Sequence, residues 1–250
     1  MLKKDLIKNT FEKKGFVKIP NLFTSIEIKK TMKEINLIKK KFNEIKNPNL
    51  HLTKDNKINT IHDINKFINS KVLKKLSKHK KLTKIVKHII GGEIVVRNFE
   101  FFLKPQKTGK PSPVHQDNFY WNIENKKSLN VWIACTNSSK KNGGVFYFEK
   151  SHKDGLIEHE LSFAAGSSQK IPDNIVNKFS YKKFYPNLKP GDCILHHCEV
   201  AHGSGKNLSN LDRIGLVISY KAKGAIVDKK GWNRYQLKLK KNLKYLKNNS

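Results

Sequence analysis

The stretch "EIVVRNFEFFLKP", residues 93–105, marks the point where the reading of this chain changes period. Before it, apolar residues recur every three or four positions. From residue 93 they arrive in short β-branched and aromatic runs bounded by Pro, Gly, Asn and Ser. Four more runs follow: "SLNVWIACTN" (128–137), "GGVFYFEKS" (143–151), "GDCILHHCEV" (191–200) and "RIGLVISYKA" (213–222). Several short strands separated by turn signals imply a double-sheet jelly roll or a barrel.

Working back from residue 93, the spacing predicts helices. Residues 3–14 form an amphipathic helix through Leu6, Ile7 and Phe11 that stops at Gly15. "GFVKIPNLF" (15–23) reads as a short strand and turn. Thr24 or Ser25 can cap a helix running to about residue 45, with Ile28, Met32, Ile35 and Ile38 on one face. Residues 47–62 look polar and irregular, and a further helical stretch covers 64–90 before Gly91 and Gly92. Working forward, 155–187 is a long polar insert, partly helical at best, and 226–250 is a basic tail that reads as a frayed terminal helix. The expected fold class is mainly β with flanking helices: N-terminal α-helices (1–92), then a β core (93–225), in one domain spanning 1–250.

The chain carries 51 basic and 20 acidic residues, a net charge of +31, and only Arg97, Arg213 and Arg234 are arginines. The lysines are scattered, and no basic run alternates with stacking aromatics as in single-strand binders. The charge reads as a solvated lysine surface, and no specific nucleic-acid partner is expected. Cys135, Cys193 and Cys198 lack CxxC spacing and fit free thiols in a reducing compartment. No apolar run suits a signal peptide or a membrane span, so the expected location is cytoplasmic.

Metal-capable groups cluster at two places. In "SPVHQDNFYWN" (112–122), His115 and Asp117 stand two apart, a spacing that on a strand presents imidazole and carboxylate to one side. The second cluster, "PGDCILHHCEVAHGSG" (190–205), offers His196, His197 and His202. Two histidines and one carboxylate on one face of an iron ion leave open positions for substrates. On spacing alone H-x-D is a weak signal, and any of the three histidines could complete the set.

"VHQDNFYW" followed by "HGSGKNLSNLDRIGLVISY" resembles the phytanoyl-CoA dioxygenase family of iron(II)- and 2-oxoglutarate-dependent oxygenases, built on a double-stranded β-helix (a cupin-like jelly roll). "FEKKGFVKIPNLFTSIEI", "FFLKP", "NGGVFYFEKSHK" and "LKPGDCILHH" resemble the family's opening, the strand before the ligand pair, the mid-domain turn and the approach to the distal histidine. The resemblance implies iron ligands His115, Asp117 and His202, preferring His202 because Ser204 and Arg213 follow at the family's offsets. Those two would hold the far carboxylate of 2-oxoglutarate, a task suited to a guanidinium fork. Trp132 would wall the cosubstrate pocket, while Asn98, Asn118 and Trp121 fall where the resembling ectoine hydroxylases contact substrate. Val114 stands where many relatives carry Trp, and Glu149-Lys150 replaces the usual Pro-Gly before Ser151-His152.

The resemblance therefore implies iron(II), 2-oxoglutarate and O2 as cofactors, with ascorbate able to serve as reductant, and hydroxylation of a small-molecule C–H with release of succinate and CO2. Related halogenases replace the carboxylate that is Asp117 here, which argues for hydroxylation. The competing readings are a non-catalytic basic binding module on the same fold, or an oxygenase with a desaturase or epimerase outcome. A lysine-rich rim is compatible with an anionic substrate.

Overall fold

The computed structural model describes residues 3–44, 47, 49–164 and 166–248. α1 (Lys3–Lys14) ends at Gly15, which takes a left-handed φ of 86°, and β1 (Phe16–Ile19) follows. α2 (Ser25–Glu44) opens on a reciprocal cap: Glu27 Oε2 accepts from Thr24 N at 2.8 Å, and Thr24 Oγ1 accepts from Glu27 N at 3.2 Å. Thr24 is therefore the capping side chain. The expected helix end near residue 45 lies outside the described residues.

Residues 47–62 differ from expectation. β2 (Leu50–Leu52) and β3 (Ile58–Ile61) form a hairpin, and β3 joins the sheet by pairing Thr60 and Ile61 with Phe102 and Phe101. The helical stretch expected over 64–90 is also divided, into a 3₁₀ turn at Ile64–Lys66, α3 (Lys71–Ser77) and α4 (Lys80–Ile90). Ser70 and His79 each accept a hydrogen bond from the backbone three residues ahead, so each starts a new helix rather than continuing the old one.

The β region comprises β4 (Ile94–Phe102), β5 (Ser112–His115), the one-turn α5 (Asn118–Trp121), β6 (Ser128–Ala134), β7 (Val145–Phe148), β8 (Glu160–Ala164), β9 (Ser167–Lys170), the one-turn α6 (Asp173–Val176), β10 (Lys183–Phe184), β11 (Cys193–His197), β12 (His202–Ser204) and β13 (Gly215–Ala222). α7 (Lys229–Asn248) closes the described chain. Seven strands pair antiparallel in the order β1-β11-β6-β13-β4-β3-β2, and four more in the order β10-β7-β12-β5. This is the expected double-sheet jelly roll.

Alternation along the large sheet separates two interiors. Leu129, Val131 and Ile133 of β6, with Leu216 and Ile218 of β13, pack against helix residues such as Ile35, Ile38, Leu73, Leu82 and Val86. Each such fully buried aliphatic side chain contributes roughly 1.5–3 kcal/mol. The intervening residues, Asn130, Trp132, Val217 and His196, face the cavity between the sheets. Strands buried on both faces read as unbroken apolar runs, which is why β6 and β13 lack simple hydrophobic–polar alternation.

The 155–187 insert contains the β8–β9 hairpin, α6 and β10, so it is more β than expected. The 226–250 tail is likewise not a frayed end over its described part. α7 lies across the hairpin: Asn242 Oδ1 accepts from Phe163 N at 3.0 Å, and Tyr235 meets Tyr120 edge-on at 5.5 Å between ring centroids. At the altered turn, Lys150 takes φ 71°, so a lysine adopts the left-handed conformation that glycine tolerates best.

Candidate metal centre

β5 and β12 pair so that His115 and His202 stand directly opposite, with ring centroids 4.3 Å apart. Asp117 arrives differently from the strand geometry expected of H-x-D. His115 is the last residue of β5, and Asp117 is the helical N-cap of α5. That short helix is held by Asn118 N, which donates to Cys198 O at 2.7 Å on the segment leading to β12. A turn, not strand alternation, brings the carboxylate to the imidazoles.

Asp117 Oδ1 lies 3.7 Å from His115 Nε2 and 3.8 Å from His202 Nε2. One donor atom from each of these three residues fits within a 4.8 Å span. Both rings are fixed from behind: His115 Nδ1 donates to Pro113 O at 2.8 Å, and His202 Nδ1 to Val200 O at 3.0 Å. A carbonyl only accepts, so each Nε2 keeps its lone pair directed at Asp117. Burial pushes both imidazoles down to about 4, keeping them neutral at pH 7. Burial alone would raise the Asp117 carboxyl, but the surrounding histidines, His202 first, outweigh it and hold the group below its ordinary value. Two neutral imidazole nitrogens and one carboxylate oxygen are the donor set of a facial iron site, and the residues fit that ion.

His196 and His197, the rival ligands, go elsewhere. His196 Nε2 is 3.0 Å from Asp117 Oδ2, the oxygen turned away from His115 and His202, and Asn130 Nδ2 donates to that oxygen at 2.8 Å. Asn130 Oδ1 in turn accepts from Ser219 Oγ, which fixes its amide orientation. The ring of His197 instead faces Phe11 and His152. Asn130 was not foreseen; its signal is a lone amide at an inward position of an apolar strand.

Beyond β12, Arg213 is 1 % exposed, donates Nη2 to Gly143 O at 2.7 Å, and lies 5.4 Å over the Trp132 ring. Its Nε has no partner among the described residues. Arg213 N donates to Lys104 O at 3.0 Å, and the Lys104 ammonium, also buried, donates to Ser204 Oγ at 2.7 Å and to Gly205 O. Burial, then the charge of Arg213, pushes the Lys104 amine well below its ordinary value. Among the described residues no carboxylate pairs with either cation. A second charge beside buried Arg213 is costly, and a carboxylate placed between the two groups would offset that cost and favour the charged form of Lys104. Lys104 was missed because nothing in the sequence sets one lysine apart from the 47 others, 51 basic residues less three arginines less itself.

A cavity of about 530 Å³ joins these groups, and Trp132, Asn98 and Trp121 are among the residues that line it. Trp232, Tyr235 and Leu239 of α7 help to enclose it. Asn98 gives its amide to Asp63 Oδ1 at 3.0 Å and Glu100 Oε1 at 2.9 Å. The expected substrate contact Asn118 does not line the cavity. Its amide donates to Glu199 Oε1 at 3.0 Å and Ile123 O at 3.2 Å, and accepts from Ile123 N, which makes it a brace for the turn after α5.

A jelly roll holding a His-x-Asp…His triad, with buried cations beside it, defines an iron(II)- and 2-oxoglutarate-dependent oxygenase. The profile of the phytanoyl-CoA dioxygenase (PhyH) family matches residues 11–215, and the chain belongs to that family. It is 24 % identical over 221 residues to a probable alpha-ketoglutarate-dependent hypophosphite dioxygenase of Stutzerimonas stutzeri, covering 85 % of this chain and 76 % of that protein. It is 23 % identical over 181 residues to the ectoine dioxygenase of Sphingopyxis alaskensis, covering 67 % of this chain but only 58 % of that protein. Among solved structures, EctD of S. alaskensis with 2-oxoglutarate and 5-hydroxyectoine superposes with a TM-score of 0.75 at 18 % identity, covering 91 % of this chain and 78 % of that one. The epimerase SnoN, solved with Fe3+, alpha ketoglutarate and nogalamycin RO, gives 0.71 at 16 % identity, covering 93 % and 88 %. Among the described residues no helix is long and apolar enough to cross a membrane.

Proposed function

We propose that the chain hydroxylates a C–H bond of a small anionic molecule, with iron held by His115, Asp117 and His202. The observation that carries this is the convergence of Asp117 Oδ1 with His115 Nε2 and His202 Nε2, at 3.7 and 3.8 Å. Iron(II) with 2-oxoglutarate supplies the oxidising power, consuming O2 and releasing succinate and CO2 as one oxygen atom enters the substrate.

The chain's own residues bind and orient. Arg213 and Ser204, joined by Lys104, hold the far carboxylate of 2-oxoglutarate, and Trp132 forms one wall of that pocket. Two cations in a dry site bind a carboxylate far more strongly than they would in water. His196 and Asn130 hold the outer oxygen of Asp117, leaving the inner one for the metal. Trp121 and Asn98 line the substrate side, and α7 with the β8–β9 hairpin limits entry of water. A carboxylate at position 117 favours hydroxylation over halogenation.

The test is anaerobic loading with iron(II) and 2-oxoglutarate, admission of O2, and a screen of metabolite extracts. The expected result is substrate-dependent succinate release with a product heavier by one oxygen. Succinate formation that never depends on an added compound, together with no oxygenated product, would sink the reading.

A further inference from the structure

Arg97 is the extra residue of a β-bulge. β13 pairs Ser219 with Asn98 and then Tyr220 with Val96, leaving Arg97 without a partner across the ladder. Phe99 and Phe101, two and four residues on, face the helix-side core, and strict alternation would send Arg97 the same way. The bulge instead brings Arg97 to the cavity wall. One side chain takes up the backbone groups beside the bulge: Asn65 donates Nδ2 to Arg97 O at 3.4 Å and accepts from Phe99 N at 3.1 Å. The local structure is built to keep this side chain where it is.

The guanidinium lies 4.9 Å over the ring of Trp121. Among the described residues it has no hydrogen-bond acceptor and no carboxylate at ion-pair distance. The nearby acids are already engaged. Asp63 accepts from Lys66 Nζ at 2.6 Å. Glu100 Oε1 meets His62 Nδ1 at 3.0 Å, while His62 Nε2 faces Gly166 O, also at 3.0 Å. With acceptors on both ring nitrogens, His62 donates twice and carries the charge that balances Glu100. Glu100, Asp63 and Asp117 act on Arg97 only through space, so its N–H groups are left without an acceptor among the described residues on this side of the cavity. Composition agrees: the chain has three arginines, and two of them line this one cavity.

We propose that Arg97 receives the anionic group of the substrate, which is therefore a compact oxyacid (carboxylic, phosphonic or phosphinic) bound as its anion. A planar fork backed by an indole suits such a group, and a cavity of about 530 Å³ shared with 2-oxoglutarate restricts the remainder of the molecule to small size. The inference rests on the oxygenase reading and assigns the substrate end of that same site.

The experiment measures thermal midpoints of the full chain with Mn(II) and saturating 2-oxoglutarate, then adds hexanoate, methylphosphonate, hexanamide or hexylamine. Hexanoate or methylphosphonate is expected to raise the midpoint further, while the neutral amide and the amine do not. Arg97→Gln should weaken that added effect by about tenfold or more in apparent affinity, and Arg97→Lys should retain part of it. Both variants should keep the shift caused by Mn(II) and 2-oxoglutarate alone, which shows the fold and the iron side intact. Acids no better than hexanamide, or an Arg97→Gln variant that responds like the parent, overturn the proposal. A parent protein that ignores Mn(II) and 2-oxoglutarate faults the oxygenase reading instead.

Discussion

His196 Nε2 stands 3.0 Å from Oδ2 of Asp117, while His115 and His202 turn their Nε2 atoms to Oδ1. A histidine that spacing alone offered as a ligand is thus a support for one. Its other nitrogen is 3.2 Å from the Tyr147 hydroxyl, so the ring is held at both ends.

Replacing that support should loosen the metal without removing a ligand. His196→Phe is expected to weaken Mn(II) or Fe(II) binding by roughly 10–100-fold, whereas Asp117→Ala should abolish hydroxylation. Calorimetric metal titration checks this, and unchanged affinity in His196→Phe would dismiss the supporting role.

Arg213→Leu should weaken 2-oxoglutarate by about 2–5 kcal/mol while metal affinity barely moves, because a buried charge pair loses one partner. Titration of 2-oxoglutarate into the Mn(II) form is the measurement. An unaltered constant would remove Arg213 from the cosubstrate site.

Lys104→Met separates stability from function. Removing one of two adjacent buried cations should leave the ligand-free protein as stable as before, or more stable by about 1–4 kcal/mol, while 2-oxoglutarate binds less tightly. Chemical denaturation and cosubstrate titration on the same sample decide it. A large loss of stability would mean that the ammonium's bonds to Ser204 and Gly205 outweigh its repulsion from Arg213.

His62 gives a pH signature. Burial lowers its pKa, but the charge and hydrogen bond of Glu100, with Gly166 O, outweigh burial and lift it above the usual 6.5. A folded value above the unfolded one means the added stability is complete below pH 6.5 and is lost as the pH climbs through the folded value. His62→Gln should flatten that part of the stability profile. A parent profile already flat there would contradict the double-donor state of the ring.

Much of this was legible because the informative residues were rare or out of place. His115, Asp117 and His202 stood in short motifs, and Arg213 stood out in a chain otherwise basic through lysine. β4, β6 and β13 announced themselves by β-branched and aromatic runs. β2 and β3 did not, since "HLTKDNKINTIH" (51–62) acquires its strands by pairing with β4, a partner that local propensity cannot see. α7 looked like a loose tail because its apolar residues meet a cavity and a hairpin contributed by distant segments. Asn118, which the resemblance implied as a substrate contact, stands off the cavity lining with its amide bonded to Ile123 and Glu199, local and long-range partners that a motif does not reveal.

The unpaired residue in β4 has an evolutionary corollary. Ladder pairing on either side of position 97 is regular, so gaining or losing a single codon there leaves the strand able to hydrogen-bond along its length. What changes is which side chain reaches the cavity wall. Given the role proposed for Arg97, descendants of such a scaffold would exchange one diet of substrates for another by an indel rather than by a series of point replacements, with the ferrous machinery inherited untouched.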